Sequence, residues 1–167
     1  TAAIGIKAAL TGHLVLATLH TNDAPSTMTR LVNMGGESFL VGSAVNLVSA
    51  QRLARKICPD CKEEDHIPDS ALLEAGVAGG DLIDFRPMVG KGCPLCNGTG
   101  YKGRSGIYQV MPVFEEIREA VYAGANSDVI NRIAIEKGVK SLRMAALEKV
   151  KNGEISFEEC LRVTVAD

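Results

Sequence analysis

Tryptophan is absent from the 167 residues, and with only three tyrosines and four phenylalanines aromatic side chains make up 4% of the chain. Such a chain has few flat faces on which successive nucleotide bases can stack. An excess of one charge is also missing, since 18 lysines and arginines stand against 20 aspartates and glutamates, for a formal net charge of −2. This disfavours a general electrostatic hold on nucleic acid or on an anionic membrane, and leaves only local contacts of that kind. Long apolar runs are lacking too. The longest, such as Leu14 to Leu19, fall far short of the roughly twenty residues that span a bilayer. No signal peptide precedes them, so the reading is of a cytoplasmic chain.

Two glycine motifs also lack the context that would give them a function. Gly90 and Lys91 supply a "GK", but Gly92 follows where Ser or Thr should stand, and no glycine lies five residues before Gly90. There is no P-loop in that stretch. "GTGYKG", Gly98 to Gly103, matches GxGxxG letter for letter. It follows a cysteine pair and leads into a strand pattern, whereas a dinucleotide site needs a strand before it and a helix after it.

What is present is ordinary globular material, 46% hydrophobic and 23% charged. "TAAIGIKAALTG" reads as a helix stopped by Gly12, and its start at Thr1 reads as a truncation inside a larger domain. "HLVLATL", residues 13–19, is a near-continuous apolar run of strand length, the pattern of a parallel strand buried on both faces. Asn22 or Asp23 caps a following helix with Pro25 in its first turn and Met28, Leu31 and Val32 on one face, closed by Gly35 and Gly36. A further helix is predicted from about Ser38 to Lys56, with Arg52, Arg55 and Lys56 on its solvated face. From Cys58 to Arg104 the texture turns to Pro, Gly, Asp and Cys, with a short helix near Ser70 to Ala75 and little capacity for a core. "SGIYQVMPV" predicts a strand. Helical patterns then close at Gly124, Gly138 and Gly153, and Ser156 with Glu159 forms a capping box for the last helix. The expected domains are 1–57, 58–104 and 105–167.

Cys58 and Cys61 (CPDC) and Cys93 and Cys96 (CPLC) form two CxxC pairs separated by thirty-one residues. Two residues between thiolates let one turn aim both sulfurs at one ion, and two such knuckles complete a tetrahedral structural zinc site. A disulfide framework or a redox dithiol are the alternatives, disfavoured in a cytosolic chain. Bringing the knuckles together costs roughly 3 kcal/mol of loop entropy, whereas a four-ligand zinc site supplies on the order of 10 kcal/mol or more. His66 lies between the knuckles, as a substitute ligand or, in the simpler reading, an exposed loop residue. Cys160 reads as a small buried hydrophobe.

Taken in order, "TGHLVLATLHTNDAPSTMTRLVNMG", "AQRLARKICPDC" and "CPLCNGTGYKGRSGIYQV" resemble the carboxyl portion of the type II secretion and type IV pilus extension ATPases. "TNDAPSTMTRL" resembles the pilus branch more closely than the secretion branch. The resemblance implies an α/β fold, the carboxyl half of a RecA-like P-loop ATPase domain, followed by the zinc knuckles and a small helical carboxyl domain. It implies a homo-hexamer docked on an inner-membrane platform protein, hydrolysing ATP with magnesium at subunit boundaries. The P-loop lysine and acidic residues would then lie upstream of Thr1, so the fragment alone should be inactive and nucleic acid is not an expected partner.

By the same resemblance His13 and His20 are the two histidines of a histidine box, and Arg30 and Arg104 are arginines near nucleotide or subunit boundary. His20 and Thr21 would stand beyond the carboxyl end of the 13–19 strand, where ligands gather in open sheets. There His20 is either catalytic, bonded to a terminal phosphate or water, or it merely satisfies backbone groups. His13, at the far end, has a structural role. Arg30 reads equally as a surface ion pair, whereas Arg104 has fewer structural partners. Gln109 departs from the family, which often has an acidic residue there. A zinc-stapled chaperone-like or nucleic-acid-binding module is the reading of another class.

Overall fold

The computed structural model of the chain describes residues 2–165. In chain order the elements are α1 (Ala2–Leu10), α2 (Ala24–Asn33), α3 (Ser38–Ala44), β1 (Leu47–Ile57), β2 (Lys62–Glu64), α4 (Asp69–Glu74), β3 (Met88–Gly90), β4 (Tyr101–Pro112), α5 (Glu115–Tyr122), α6 (Ser127–Glu136), α7 (Leu142–Lys151) and α8 (Phe157–Val163). Among the described residues β1 pairs with β4, and β2 pairs antiparallel with β3, setting Lys62 opposite Gly90 and Glu64 opposite Met88. The fold is α/β. The chain divides into two compact units, one of residues 1–50 and 109–140, the other of residues 51–108 and 141–167. Each unit draws on two stretches of sequence, whereas the boundaries expected above follow composition.

The first unit is built on amphipathic helices. In α2 the Asp23 side chain accepts the Ser26 amide at 2.8 Å, Pro25 fills the first turn, and Met28 and Leu31 face inward while Arg30 is exposed. Met28, Val41, Met111, Ile117, Ile130 and Ala134 have lost all exposure and form the centre of this core. Gly42 is required for α3 to approach α5, because a Cβ there would lie 2.5 Å from the Tyr122 ring. Phe39 packs on that ring with centroids 5.3 Å apart, and the Ser43 and Tyr122 hydroxyls lie 3.1 Å apart.

Two expectations fail in this unit. Residues 13–19 are not a buried strand: no strand among the described residues pairs with them, and Leu14 and Leu16 are 89% and 86% exposed. An apolar run becomes a strand only when a neighbour supplies the ladder of hydrogen bonds. The helix expected over 38–56 ends at Ala44, and β1 begins at Leu47. "LVSAQRLARKI" is rich in helix formers, yet it also places Val48, Ala50, Arg52 and Ala54 at every second position. Pairing with β4 overrides the propensity.

The second unit carries the cysteine knuckles. Its core takes in Ala54, Ile57, Ile107, Leu147, Val150, Ile155 and Phe157, joined by Leu72, Val77 and Phe85 from the segment expected to bury little. Segment 58–104 therefore does contribute to a core, through a few well-spaced aliphatic and aromatic residues that its polar composition masks. The "GTGYKG" glycines also have a structural use. At Gly90 and Gly100 a Cβ on either residue would drive into the carbonyl group of the other, so the two backbones pass at a distance that only glycine allows. Arg104 lies within β4, not in a glycine-rich loop, because that close crossing starts the long strand at Tyr101.

Candidate functional site

Each CxxC pair closes around a single 3-10 turn, Pro59–Cys61 and Pro94–Cys96, with a proline in first place. Proline fixes the backbone angle of that turn and needs no hydrogen-bond partner for its nitrogen. After the second turn Asn97 takes a left-handed conformation (φ 53°), which swings the chain back towards its own knuckle. The Cys58 amide donates to the Gly100 carbonyl at 2.9 Å and the Lys91 amide to the Cys61 carbonyl at 2.9 Å, so each knuckle is tied to the chain beside the other.

The four sulfurs converge. Cys58 Sγ lies 3.9 Å from Cys93 Sγ, Cys61 Sγ lies 3.9 Å from Cys96 Sγ, and Cys93 Sγ lies 3.7 Å from Cys96 Sγ. All four fall within 4.8 Å of one another. Zinc–sulfur bonds of about 2.3 Å in a tetrahedron require edges of about 3.8 Å. These separations are far beyond the roughly 2.05 Å of a disulfide. The residues present therefore fit a four-thiolate metal ion, and Cys58, Cys61, Cys93 and Cys96 would hold it.

Backbone amides complete the centre. Gly92 donates to Cys61 Sγ at 3.3 Å, while Cys93 and Gly100 each donate to Cys96 Sγ at 3.2 Å. The Cys93 amide, with that of Gly100, draws the Cys96 thiol down to about 6 against the effect of burial, so Cys96 is readily a thiolate. Burial pushes the Cys61 thiol up to about 12 and raises Cys58 as well. Sulfurs packed this closely share negative charge only beside a cation, which is what a bound metal supplies. His66 is exposed and outside this cluster, and Cys160 is fully buried on α8.

The structure disperses the other residues singled out by sequence. His20 is exposed, and His13 Nδ1 lies 3.1 Å from the Thr11 hydroxyl. Thr21 and Thr27 share a hydroxyl contact of 2.8 Å beside the Asp23 cap of α2, and Arg30 is exposed three residues further on. Gln109 is 1% exposed, and its Oε1 accepts the Ala24 amide at 2.9 Å while its Nε2 donates to Asn131 Oδ1 at 3.4 Å. A neutral amide thus serves here: it satisfies an otherwise unpaired donor in the first turn of α2 and donates to α6 at the same time.

Sequence reasoning missed a second charged centre. Glu159 on α8 is fully buried, and its Oε1 accepts the Arg55 amide at 2.8 Å. Its Oε2 accepts Arg55 Nη2 at 2.9 Å and Arg162 Nε at 2.8 Å, and Arg162 Nη2 donates to Oε1. Burial alone would raise the Glu159 carboxyl, but the hydrogen bonds from Arg162 and Arg55 outweigh it and hold it at about 2. Arg55 is therefore not on a solvated helix face: it extends from β1, with its guanidinium 4.1 Å from the centre of the Tyr101 ring. The expected capping box is only half formed. Ser156 accepts the Glu159 amide at 3.2 Å, but the Glu159 carboxylate is committed to the arginines.

Residues 1–162 match the family described as Type II/IV secretion system protein. The chain is 48% identical over 168 aligned residues to the type IV pilus assembly ATPase PilB of Myxococcus xanthus (strain DK1622), covering 100% of this chain and 30% of that protein. It is 42% identical to the type II secretion system protein E of Aeromonas hydrophila, covering 100% of this chain and 33% of that one. It spans about a third of the length of these relatives. The crystal structure of the pilus retraction motor PilT with bound ADP is similar with a TM-score of 0.62 at 20% identity, over 97% of this chain and 35% of that chain, a likeness of fold. The match runs through the knuckles to α8, and the chain belongs to the family of type II/IV secretion system proteins.

Proposed function

We propose that the chain is the carboxyl-terminal part of a homo-hexameric motor ATPase that drives type IV pilus assembly, working at the cytoplasmic face of the inner membrane on a platform protein. The observation that carries this reading is the 48% identity to a pilus assembly ATPase over the whole of the chain. Type II secretion is the second reading, supported by 42% identity to a secretion protein E over the same length. In this assignment the first compact unit completes a RecA-like core whose P-loop and magnesium ligands lie elsewhere in the protein, and the zinc-stapled segment 58–104 belongs to the second unit. Zinc is structural, since four thiolates leave no open position for substrate.

The exposure of Leu14 and Leu16 supports the RecA-like assignment, because so apolar a run calls for cover by further strands. Once residues 13–19 are paired, His20 and Thr21 would stand at the strand end that precedes the capped start of α2. From that place the His20 imidazole can bond a terminal phosphate or the attacking water, with Arg30 and Arg104 neutralising phosphate charge at the same or a neighbouring subunit. His13 anchors the opposite end of the run. Without a P-loop and magnesium ligands to position the transferred phosphoryl group, the 167-residue fragment is expected to hydrolyse no ATP.

Phosphate release by the complete protein tests the assignment. His20→Ala should lower turnover far more than it lowers thermal stability. Equal losses in both would return His20 to a packing role, and appreciable turnover by the pure fragment would contradict the division of labour.

A further inference from the structure

A cleft in the second unit, with a volume of about 420 Å³, is lined by Leu53, Ala54, Arg55, Arg104 and Arg162. Three of its five lining residues are arginines, and the chain as a whole carries a net charge of −2. The counter-charge beside them is Glu159, which is fully buried and has both oxygens occupied by Arg55 and Arg162. Three guanidinium groups against one carboxylate leave two positive charges at the cleft.

The arginines differ in how they are held. Arg55 and Arg162 bond Glu159 through Nε and Nη2, and among the described residues no acceptor takes the Nη1 donors of either. Their side chains remain 45% and 52% exposed even so, and the stacking of Arg55 on Tyr101 fixes its plane. Arg104 is exposed on β4 beside them. Two preoriented guanidinium forks and a third at the same opening match a tetrahedral oxyanion, which takes paired donors on more than one edge. A double positive charge matches a phosphate dianion better than a single carboxylate. The volume lies within the roughly 300–1,000 Å³ of small-ligand sites, large enough for two linked phosphates.

We infer that this cleft binds the phosphate groups of a small soluble polyphosphate, with Arg55 and Arg162 as a fixed wall and Arg104 as the arm that closes on the ligand. Here Glu159 is a positioning residue for the two wall arginines. The inference rests on the reading of Arg104 as a phosphate-facing residue, but binding needs no hydrolysis, so a motor without turnover and a cleft without affinity are separate results.

The test is calorimetric titration of the full chain with sodium pyrophosphate at about 50 mM salt, where screening is weak. Saturable binding is expected. Arg104→Ala should weaken it roughly tenfold or more, the size of one lost charge-assisted contact, and Arg104→Lys should fall between, having charge without the fork. An unchanged melting temperature in Arg104→Ala would show that the loss lies in the cleft. Arg86→Ala, which removes an exposed arginine paired with Glu64, should bind as the parent does. Absence of saturable binding, or equal weakening by Arg86→Ala and Arg104→Ala, would overturn the assignment. So would binding to phosphatidylglycerol vesicles without binding to pyrophosphate, which would make the cleft a lipid-facing patch.

Discussion

In one unit Met28, Val41 and Ile117 lose all exposure among other aliphatic side chains, while in the other the fully buried residues include a thiol and a carboxylate, Cys58 and Glu159. The first unit is held by many small, interchangeable contacts spread over five helices. The second adds to its apolar core two concentrated points, where four sulfurs meet and where two arginines meet one glutamate. The difference teaches where each is fragile. Aliphatic packing declines by degrees as atoms are removed, whereas a metal centre or a buried ion pair is lost when one partner goes.

The comparison breaks most sharply at the metal centre. Chelation, or Cys61→Ser, should remove stabilisation on the order of 10 kcal/mol from the knuckle segment. Hydrogen exchange should show amides of β2, β3 and the two knuckles losing protection while those of α2 and α5 keep theirs. Next in size is Glu159→Ala, which takes the shared carboxylate from two half-exposed guanidinium groups and should cost about 3 kcal/mol in denaturant titration.

The same carboxylate has a pH signature. Its value is lowered from 4.5 to about 2 on folding, so its stabilisation is fully present above about pH 4.5 and is lost as pH falls towards and through 2. Glu159→Gln should remove that component, making the acid limb of the stability profile shallower than the parent's. In the first unit Met28→Ala should cost roughly 2–5 kcal/mol through the cavity it opens. The smallest effect is Asp23→Ala, about 1 kcal/mol for the lost cap of α2, seen as a modest fall in melting temperature.

Local signals were legible. Asp23 with Pro25, and Ser156, announce helix starts, and Gly124, Gly138 and Gly153 take the left-handed turns that end α5, α6 and α7, whereas the Asn126 and Ser141 caps emerge only in the structure. The knuckles were legible because the chemistry of a metal ion dictates the CxxC spacing. What depends on partners distant in sequence was not. β1 carries both a helical and an alternating pattern, and only β4, more than forty residues on, decides between them. Arg55 and Glu159 stand 104 residues apart, and nothing local to either marks the pair. Residues 13–19 were read as a strand from apolarity alone, but strand formation also requires a neighbour. The half-formed capping box at Ser156 shows the same competition: two half-exposed arginines hold the buried Glu159 carboxylate more strongly than one backbone amide does.

The most direct test is the native mass of the purified chain. The account predicts one zinc ion per chain with the thiol protons of Cys58, Cys61, Cys93 and Cys96 displaced, and no zinc in Cys58→Ser. A folded chain that carries no metal, or one whose four cysteines are found as two disulfides, would contradict it.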